Sequence, residues 1–281
     1  MSSIKDFPDE IVLTIMEGMS VKDILQLTWS CKRFYNLRKF VKKTSEEVVK
    51  IISVDALREM NNAMPLLACG LNLRDTWVSD LSHLSNLVNL KVLDLRRASV
   101  SDISPLSNLV NLEKLDLEYT QVSDVSPLKE LVNLEVLWLR GTQVFNISPL
   151  SNLEKLEKLD IGNCYGLSDL SNLVNLKVLD LRRASVSDIS PLSNLVNLEK
   201  LNLKCTKVSD ISHLKNLKNL EDLDLGNTQV SDISHLSNLV NLEKLNLSNT
   251  QVSDISPLSN LKNLKELDLW HCRGLSDISP L

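Results

Sequence analysis

A repeat of 22 residues governs this chain. It is plainest from Leu112 to Asn133, LEKLDLEYTQVSDVSPLKELVN, where leucines hold unit positions 1, 4, 6, 17 and 20 and valines hold positions 11 and 14. The unit restarts at Ala68, Leu90, Leu112, Leu134, Leu156, Leu176, Leu198, Leu220, Leu242 and Leu264. That makes nine units and a truncated tenth across residues 68–281. A single unit has nowhere to bury these apolar positions. Stacked units do, because each position becomes a column running through a shared core. A length of 281 residues would ordinarily suggest about two domains. The repeat replaces that expectation, since a stack grows in one dimension.

A period in this range, headed by L-x-x-L-x-L, resembles the leucine-rich repeats of the internalin and phosphatase-regulator type. The resemblance implies an α/β fold: a leucine-rich-repeat solenoid, built as a right-handed α/β horseshoe with a concave parallel sheet of about ten strands. Unit positions 1–8 are the expected strand. Period-2 alternation turns positions 4 and 6 inward and positions 3, 5 and 7 outward. Position 9 is small throughout (Thr76, Ala98, Thr120, Thr142, Cys164, Ala184, Thr206, Thr228, Thr250, Cys272), as a chain leaving a strand requires. Cys164 and Cys272 are therefore expected as buried structural thiols. In the following V-S-D-I-S-P-L stretch, Asp or Asn suits a turn and Ser-Pro starts a short 3₁₀ or helical turn.

Two irregularities interrupt the period. The fifth unit has 20 residues, with an insertion in NCYGL and a loss where other units carry ISP, so a local change of curvature is expected near 164–169. Leu84–Leu115 and Leu170–Leu201 are identical over 32 residues, which implies an internal duplication. The last repeat shows no polar capping unit, and its apolar edge is expected to be exposed unless a further segment or another chain covers it.

The first 43 residues are of another kind. Pro8 precedes Asp9 and Glu10, as in the first turn of a helix, and Ile11, Val12, Ile15 and Met16 follow at helical spacing up to Gly18. A second helix starts at Ser20 with Val21, Ile24 and Leu25 on one face, and a third runs from about Ser30 to Phe40. The stretch 7–37, FPDEIVLTIMEGMSVKDILQLTWSCKRFYNL, resembles an F-box through Pro8, Asp9, Glu10, Ile11, Ile15, Ser20, Asp23, Leu25, Leu27, Cys31, Lys32, Arg33 and Phe34. It departs from the pattern at Phe7, usually leucine, and at Ser30, often valine.

This second resemblance implies a small all-α F-box-like segment that docks on a Skp-type adaptor and so joins a cullin–RING ubiquitin ligase. By position, the docking residues are Phe7, Pro8, Ile11, Val12, Ile15, Val21, Ile24 and Leu25. The alternative is that these helices only cap the solenoid. Residues 44–67 read as a helical linker and N-terminal cap. Thr44–Glu47 forms a capping-box pattern, Val48–Val54 fits either a continued helix or a short strand, and Pro65 closes the segment. The expected organisation is thus 1–43, 44–67 and 68–281.

Composition narrows the function. The net charge of −5 speaks against nucleic acid as a partner through bulk charge. Five cysteines with no CxxC read as free thiols in a reducing compartment. The first residues lack a basic stretch followed by an apolar core and no apolar run reaches about 18 residues, so neither a secretory leader nor a membrane span is expected. The expected location is the cytoplasm or nucleus of a eukaryotic cell, including a host cell if the source is a virus or bacterium. Asn146-Ile147-Ser148 matches a glycosylation acceptor, which has no meaning in that compartment. His213 and His235 lie one repeat apart, but two ligands are too few for a metal. With seven glycines, no phosphate loop can be assembled, and no nucleophile or metal motif is present. The chain reads as a non-catalytic protein without a cofactor.

Function is then expected on the outward strand positions. Position 5 is almost all Asp or Asn, with Trp138 the exception. Positions 7 and 8 carry arginines and aromatics, types enriched in binding hot spots. The expected target-contacting residues are Arg74, Arg96, Arg97, Tyr119, Trp138 and Arg140, with Arg182, Arg183, Trp270 and His271 next. The alternative is that these arginines pair with neighbouring aspartates on a solvated sheet. The sequence reading is therefore a substrate-recognition subunit of an SCF-type (Skp–cullin–F-box) ubiquitin ligase that holds a protein target. The alternative is a stand-alone leucine-rich-repeat interaction scaffold, such as a phosphatase regulator.

Overall fold

A computed structural model describes residues 49–50, 70–164 and 170–279. The F-box-like stretch, most of the linker and the insertion at 165–169 lie outside the described residues, as do the eight expected docking positions. The chain divides into two compact units, 1–134 and 135–281.

In the first unit, strands β1 (Val49–Lys50), β2 (Gly70–Asn72), β3 (Val92–Asp94) and β4 (Lys114–Asp116) pair in parallel and in sequence order. β1 lies ahead of the first repeat and pairs with it, Val49 opposite Leu71. Backbone from the linker thus covers that edge of the sheet, which resolves the ambiguity of Val48–Val54 at these two residues. The second unit continues the pattern with β5 (Val136–Trp138), β6 (Lys158–Asp160), β7 (Val178–Asp180), β8 (Lys200–Asn202), β9 (Asp222–Asp224), β10 (Lys244–Asn246) and β11 (Glu266–Asp268). They too are parallel, neighbour to neighbour.

Each repeat strand covers three residues, not the eight expected. Its hydrogen bonds run on past the strand, for example from Leu95 N–H to Asp116 O and from Arg97 N–H to Glu118 O in the next repeat. Regular strand geometry stops because the chain turns at position 8. Every described residue there has positive φ, from 55° at Asn249 to 69° at Gly141.

The apolar columns form the core. In the repeat from Leu220, residues Leu220, Leu223, Leu225, Val230, Ile233, Leu236 and Leu239 are each at most 1% exposed. In the first unit the corresponding Leu112, Leu115, Leu117, Val122, Val125, Leu128 and Leu131 are fully buried. Removing one such leucine leaves a cavity as well as losing its transfer energy, so the columns dominate stability.

Away from the strands, Ser-Pro or Ser-His opens a 3₁₀ turn, as at Ser104–Asn108 and Ser212–Asn216. Among the described residues this side holds 3₁₀ turns and no α-helix. A 22-residue unit leaves too few residues for more. An Asp two residues earlier accepts the serine N–H at 2.8 Å (Asp102 to Ser104, Asp210 to Ser212). These serine hydrogen bonds hold the Asp102, Asp124, Asp188, Asp210, Asp232, Asp254 and Asp277 carboxyls below the usual range. His83, His213 and His235 sit half-buried in these turns. Among the described residues no His, Cys, Asp or Glu cluster is placed to hold a metal.

Position 9 is more than small. The Thr120, Thr142, Thr206, Thr228 and Thr250 hydroxyls each donate to the carbonyl three residues back, at 2.6–2.7 Å. Cys164 and Cys272 are buried in the same column, and their thiols reach Leu139 O and Leu247 O at 3.5 and 3.1 Å. Burial pushes the Cys164 thiol pKa upward, the opposite of what a nucleophile needs. In the final repeat Leu264, Leu267 and Leu269 are only half-buried, unlike their counterparts in earlier repeats.

Candidate protein-binding face

The acid-or-amide column at position 5 has a structural purpose. Each described Asp or Asn there accepts the N–H of position 7 through Oδ1, as in Asn72 to Arg74 (2.9 Å), Asp180 to Arg182 (2.9 Å) and Asn246 to Ser248 (2.8 Å). This side-chain bond braces the strand end against the coming left-handed turn. Trp138 has no oxygen to offer Arg140. It stands 36% exposed on β5, where its neighbour on β6 is Asp160.

In the first unit the structure brings Arg96, Arg97 and Tyr119 together. The guanidinium carbons of Arg96 and Arg97 lie 5.7 and 5.6 Å from the Tyr119 ring centroid. Arg96 Nη1 also pairs with Glu118 Oε2 at 2.9 Å, while its buried Nε has no hydrogen-bond partner among the described residues. Arg74 and Arg97 both approach Asp75, at 3.3 and 3.8 Å. Beneath them Asp94 and Asp116 face each other across β3 and β4. Burial raises both carboxyls. Asp116 is pushed up to about 7, with the Asp94 and Glu118 charges adding to the effect of burial.

In the second unit the expected residues fall in separate places. Arg140 is half-buried two residues beyond Trp138. Arg182 is held by its own Asp180, through Nη2 at 2.6 Å and Nε at 2.8 Å. Arg183 is exposed. Trp270 and His271 stack on each other, centroids 3.8 Å apart, in the final repeat.

One expectation needs correction. Position 7 is not uniformly outward: Glu118, Gly162, Gly226 and Ser248 are buried, because position 7 is already in the turn that leaves the strand. The arginines differ among themselves. Arg96 and Arg182 are engaged in short ion pairs and Arg74 and Arg97 in longer ones to Asp75, the pairing that the solvated-sheet alternative supposed, whereas Arg183 stands exposed.

Sequence reasoning passed over Trp77, 91% exposed, and Phe145, 66% exposed. Their columns carried the signal. Trp77 stands at position 10, where Gln121, Gln143, Gln229 and Gln251 stand elsewhere, and Phe145 replaces the serine of position 12. It also passed over an open groove of about 520 Å³ in the second unit, lined by Glu135, Glu154, Glu157, Lys177 and Glu199 among others.

Columns of buried leucine, three-residue parallel strands and a regular turn-out at position 8 define a leucine-rich-repeat solenoid, a fold used as a protein-interaction scaffold. The chain belongs to the leucine-rich-repeat family. The family described as Leucine Rich repeats (2 copies) matches at residues 174–216, 196–238 and 240–281. An internalin (inlF) of Listeria monocytogenes is 33% identical over 88% of this chain and 72% of its own, with a TM-score of 0.76. Internalin C2 of the same organism is 30% identical over 76% of this chain and 91% of its own, at 0.56. A leucine-rich-repeat protein of Leptospira interrogans shares the fold at 23% identity, covering 86% of this chain and 63% of its own, with a TM-score of 0.72. No curated protein matches the chain at a significant level.

Proposed function

We propose that the chain is a non-catalytic recognition scaffold, with a protein target held by outward side chains of its strand repeats. The observation that carries this reading is the Arg96–Arg97–Tyr119 cluster. It gathers arginine and aromatic side chains at the strand ends, where the repeat pattern by itself asks for asparagine or glycine. Trp138 supports it, an indole in a column otherwise reserved for Asp and Asn. Arg74, Arg140, Arg182, Arg183, Trp270 and His271 complete the proposed contact set. The internalin-like relatives support the scaffold class without naming a partner for this chain. The test is affinity capture from a cell extract with wild type and with Trp138→Ala and Arg74→Glu variants. A partner held by wild type and lost with either variant supports the reading. Partners retained equally by all three overturn it.

A second reading rests on the F-box-like residues, Pro8–Ile11 and Cys31–Phe34 above all. In it the chain is the target-recognition subunit of an SCF-type ubiquitin ligase, acting in the cytoplasm or nucleus of a eukaryotic cell or host. The scaffold would raise the effective concentration of target near the ligase. Co-purification with a Skp-type adaptor, lost on Ile11→Asp/Ile15→Asp, would support it. A wild-type chain that ignores the adaptor leaves residues 1–43 as a cap.

A further inference from the structure

Nine described non-glycine residues share the left-handed backbone of position 8. Asp75, Asn163, Asn227 and Asn249 tolerate it, because a short polar side chain bonds locally. Arg97, Tyr119, Arg183, Cys205 and His271 sit there against their preference. An unfavourable backbone held by the surrounding fold points to a use for the side chain.

Arg97 and Tyr119 are consecutive in this column. The Tyr119 ring supports the Arg97 guanidinium from 5.6 Å. Arg97 has no committed partner: its one ion contact is Asp75 at 3.8 Å, its side chain is 57% exposed, and among the described residues its guanidinium donates no hydrogen bond. The duplicated segment supplies an internal comparison. Arg183 has the same φ of 57° and the same preceding sequence, but Cys205 stands in place of Tyr119 and Lys204 in place of Glu118. Arg183 therefore has no ring to rest on.

We infer that Arg97 and Tyr119 form a receptor for a side-chain carboxylate in an acidic segment of a partner protein. A guanidinium stacked on a ring keeps its hydrogen-bonding edge outward and gives up little freedom when a carboxylate docks on two N–H groups. Asp75 and Glu118 flank the pair, each already held by an arginine, and disfavour a long polyanion such as a nucleic-acid strand more than a short acidic segment. The inference rests on the reading of this face as the target-binding surface.

The experiment titrates the full ¹³C,¹⁵N-labelled chain with N-acetyl-tetraglutamate amide, following the Arg97 Nε–H and Tyr119 ring signals. Saturable shifts are expected at both residues, weakened about fivefold by Tyr119→Asn or Arg97→Gln and about fivefold weaker at Arg183. Asn suits the left-handed backbone, so Tyr119→Asn keeps the fold, and its melting temperature checks that. An equal response at Arg97 and Arg183, or none at Arg97, overturns the inference. So does tighter binding of a uridine octanucleotide at the same residues. A captured protein partner that is lost with Trp138→Ala but kept with Tyr119→Asn and Arg97→Gln overturns it while leaving the scaffold reading intact. Tetraglutamate binding at Arg97 with partner capture indifferent to Trp138 and Arg74 does the reverse.

Discussion

Arg96 reaches across to Glu118 of the next repeat, Nη1 to Oε2 at 2.9 Å, whereas Arg182, its copy in the duplicated segment, turns back to Asp180 of its own repeat at 2.6 Å. The two arginines sit in 32 identical residues, so the difference comes from the flanking repeats, of which the one that follows supplies the partner of Arg96. There position 7 is Glu118 in one case and Lys204 in the other. Lys204→Glu is expected to draw Arg182 off Asp180, visible in a crystal structure of the variant as a new ion pair between Arg182 and the introduced carboxylate. Glu118→Lys is expected to cost about 1–3 kcal/mol in urea unfolding, because it sets a second cation beside a partly buried guanidinium. An unchanged midpoint would show that this ion pair contributes nothing.

Tyr119 and Arg97 are held left-handed at φ 57°. A residue with a Cβ pays roughly 1–2 kcal/mol for that conformation, and Asn or Gly much less. Tyr119→Asn is therefore expected to stabilise the chain by about 1 kcal/mol, net of the lost ring contacts, while weakening carboxylate binding. Asn249→Ala should act in the other direction by about 1 kcal/mol. Equilibrium denaturation of the two variants checks both signs, and a destabilised Tyr119→Asn would show that the ring is there for packing.

The position-9 hydroxyls can be tested in the same way. Thr142 donates to Leu139 O at 2.6 Å from a buried site. Thr142→Val keeps the shape and removes the hydroxyl bond, leaving Leu139 O with the residue-142 N–H at 3.1 Å and the Cys164 thiol at 3.5 Å, at an expected cost of about 1 kcal/mol. Thr142→Cys should cost less, because a thiol in this column still finds a carbonyl: Cys272 reaches Leu247 O of the preceding repeat at 3.1 Å. Equal losses in the two variants would mean that volume, not hydrogen bonding, selects this column.

The columns were legible in the sequence because burial repeats every 22 residues: the leucines, the Val at position 11 and the small residue at position 9 all fall where the period puts them. The Ser-Pro turns were legible because proline fixes the backbone locally. Position 8 was not. Its left-handed backbone favours Asn, Asp or Gly, but Arg97, Tyr119, Arg183, Cys205 and His271 mask the preference in half of the column. The Asp and Asn of position 5 were visible as a pattern, yet their role as acceptors for position 7 needs the backbone path. The pairing of Arg96 and Arg182 was beyond reach from either repeat alone, since it depends on the neighbouring ones. The exposed Trp77 and Phe145 were readable as column exceptions in the way Trp138 was.

The Asp94–Asp116 pair gives the chain an unusual pH response. Burial raises both carboxyls, and Asp116 reaches about 7 against an ordinary 3.8. The folded chain then binds protons more tightly than the unfolded one between about pH 4 and 7, so this group's contribution to stability falls as pH rises through that window and levels off above it. The turn aspartates act in a lower window with the opposite sign, losing stability as pH drops below about 4. Asp116→Asn keeps the acceptor for the Glu118 N–H, as Asn72 does for Arg74, and removes the buried charge. Each tenfold change in proton affinity is worth roughly 1.4 kcal/mol, and water reaching the half-buried carboxylate screens part of that. The variant is therefore expected to gain about 2 kcal/mol at pH 8 and to change little at pH 4. Urea unfolding at pH 4, 6 and 8 decides the matter. Parallel curves for wild type and variant would mean that Asp116 titrates like an exposed carboxylate, and that the floor beneath Arg96 and Arg97 carries full negative charge at neutral pH.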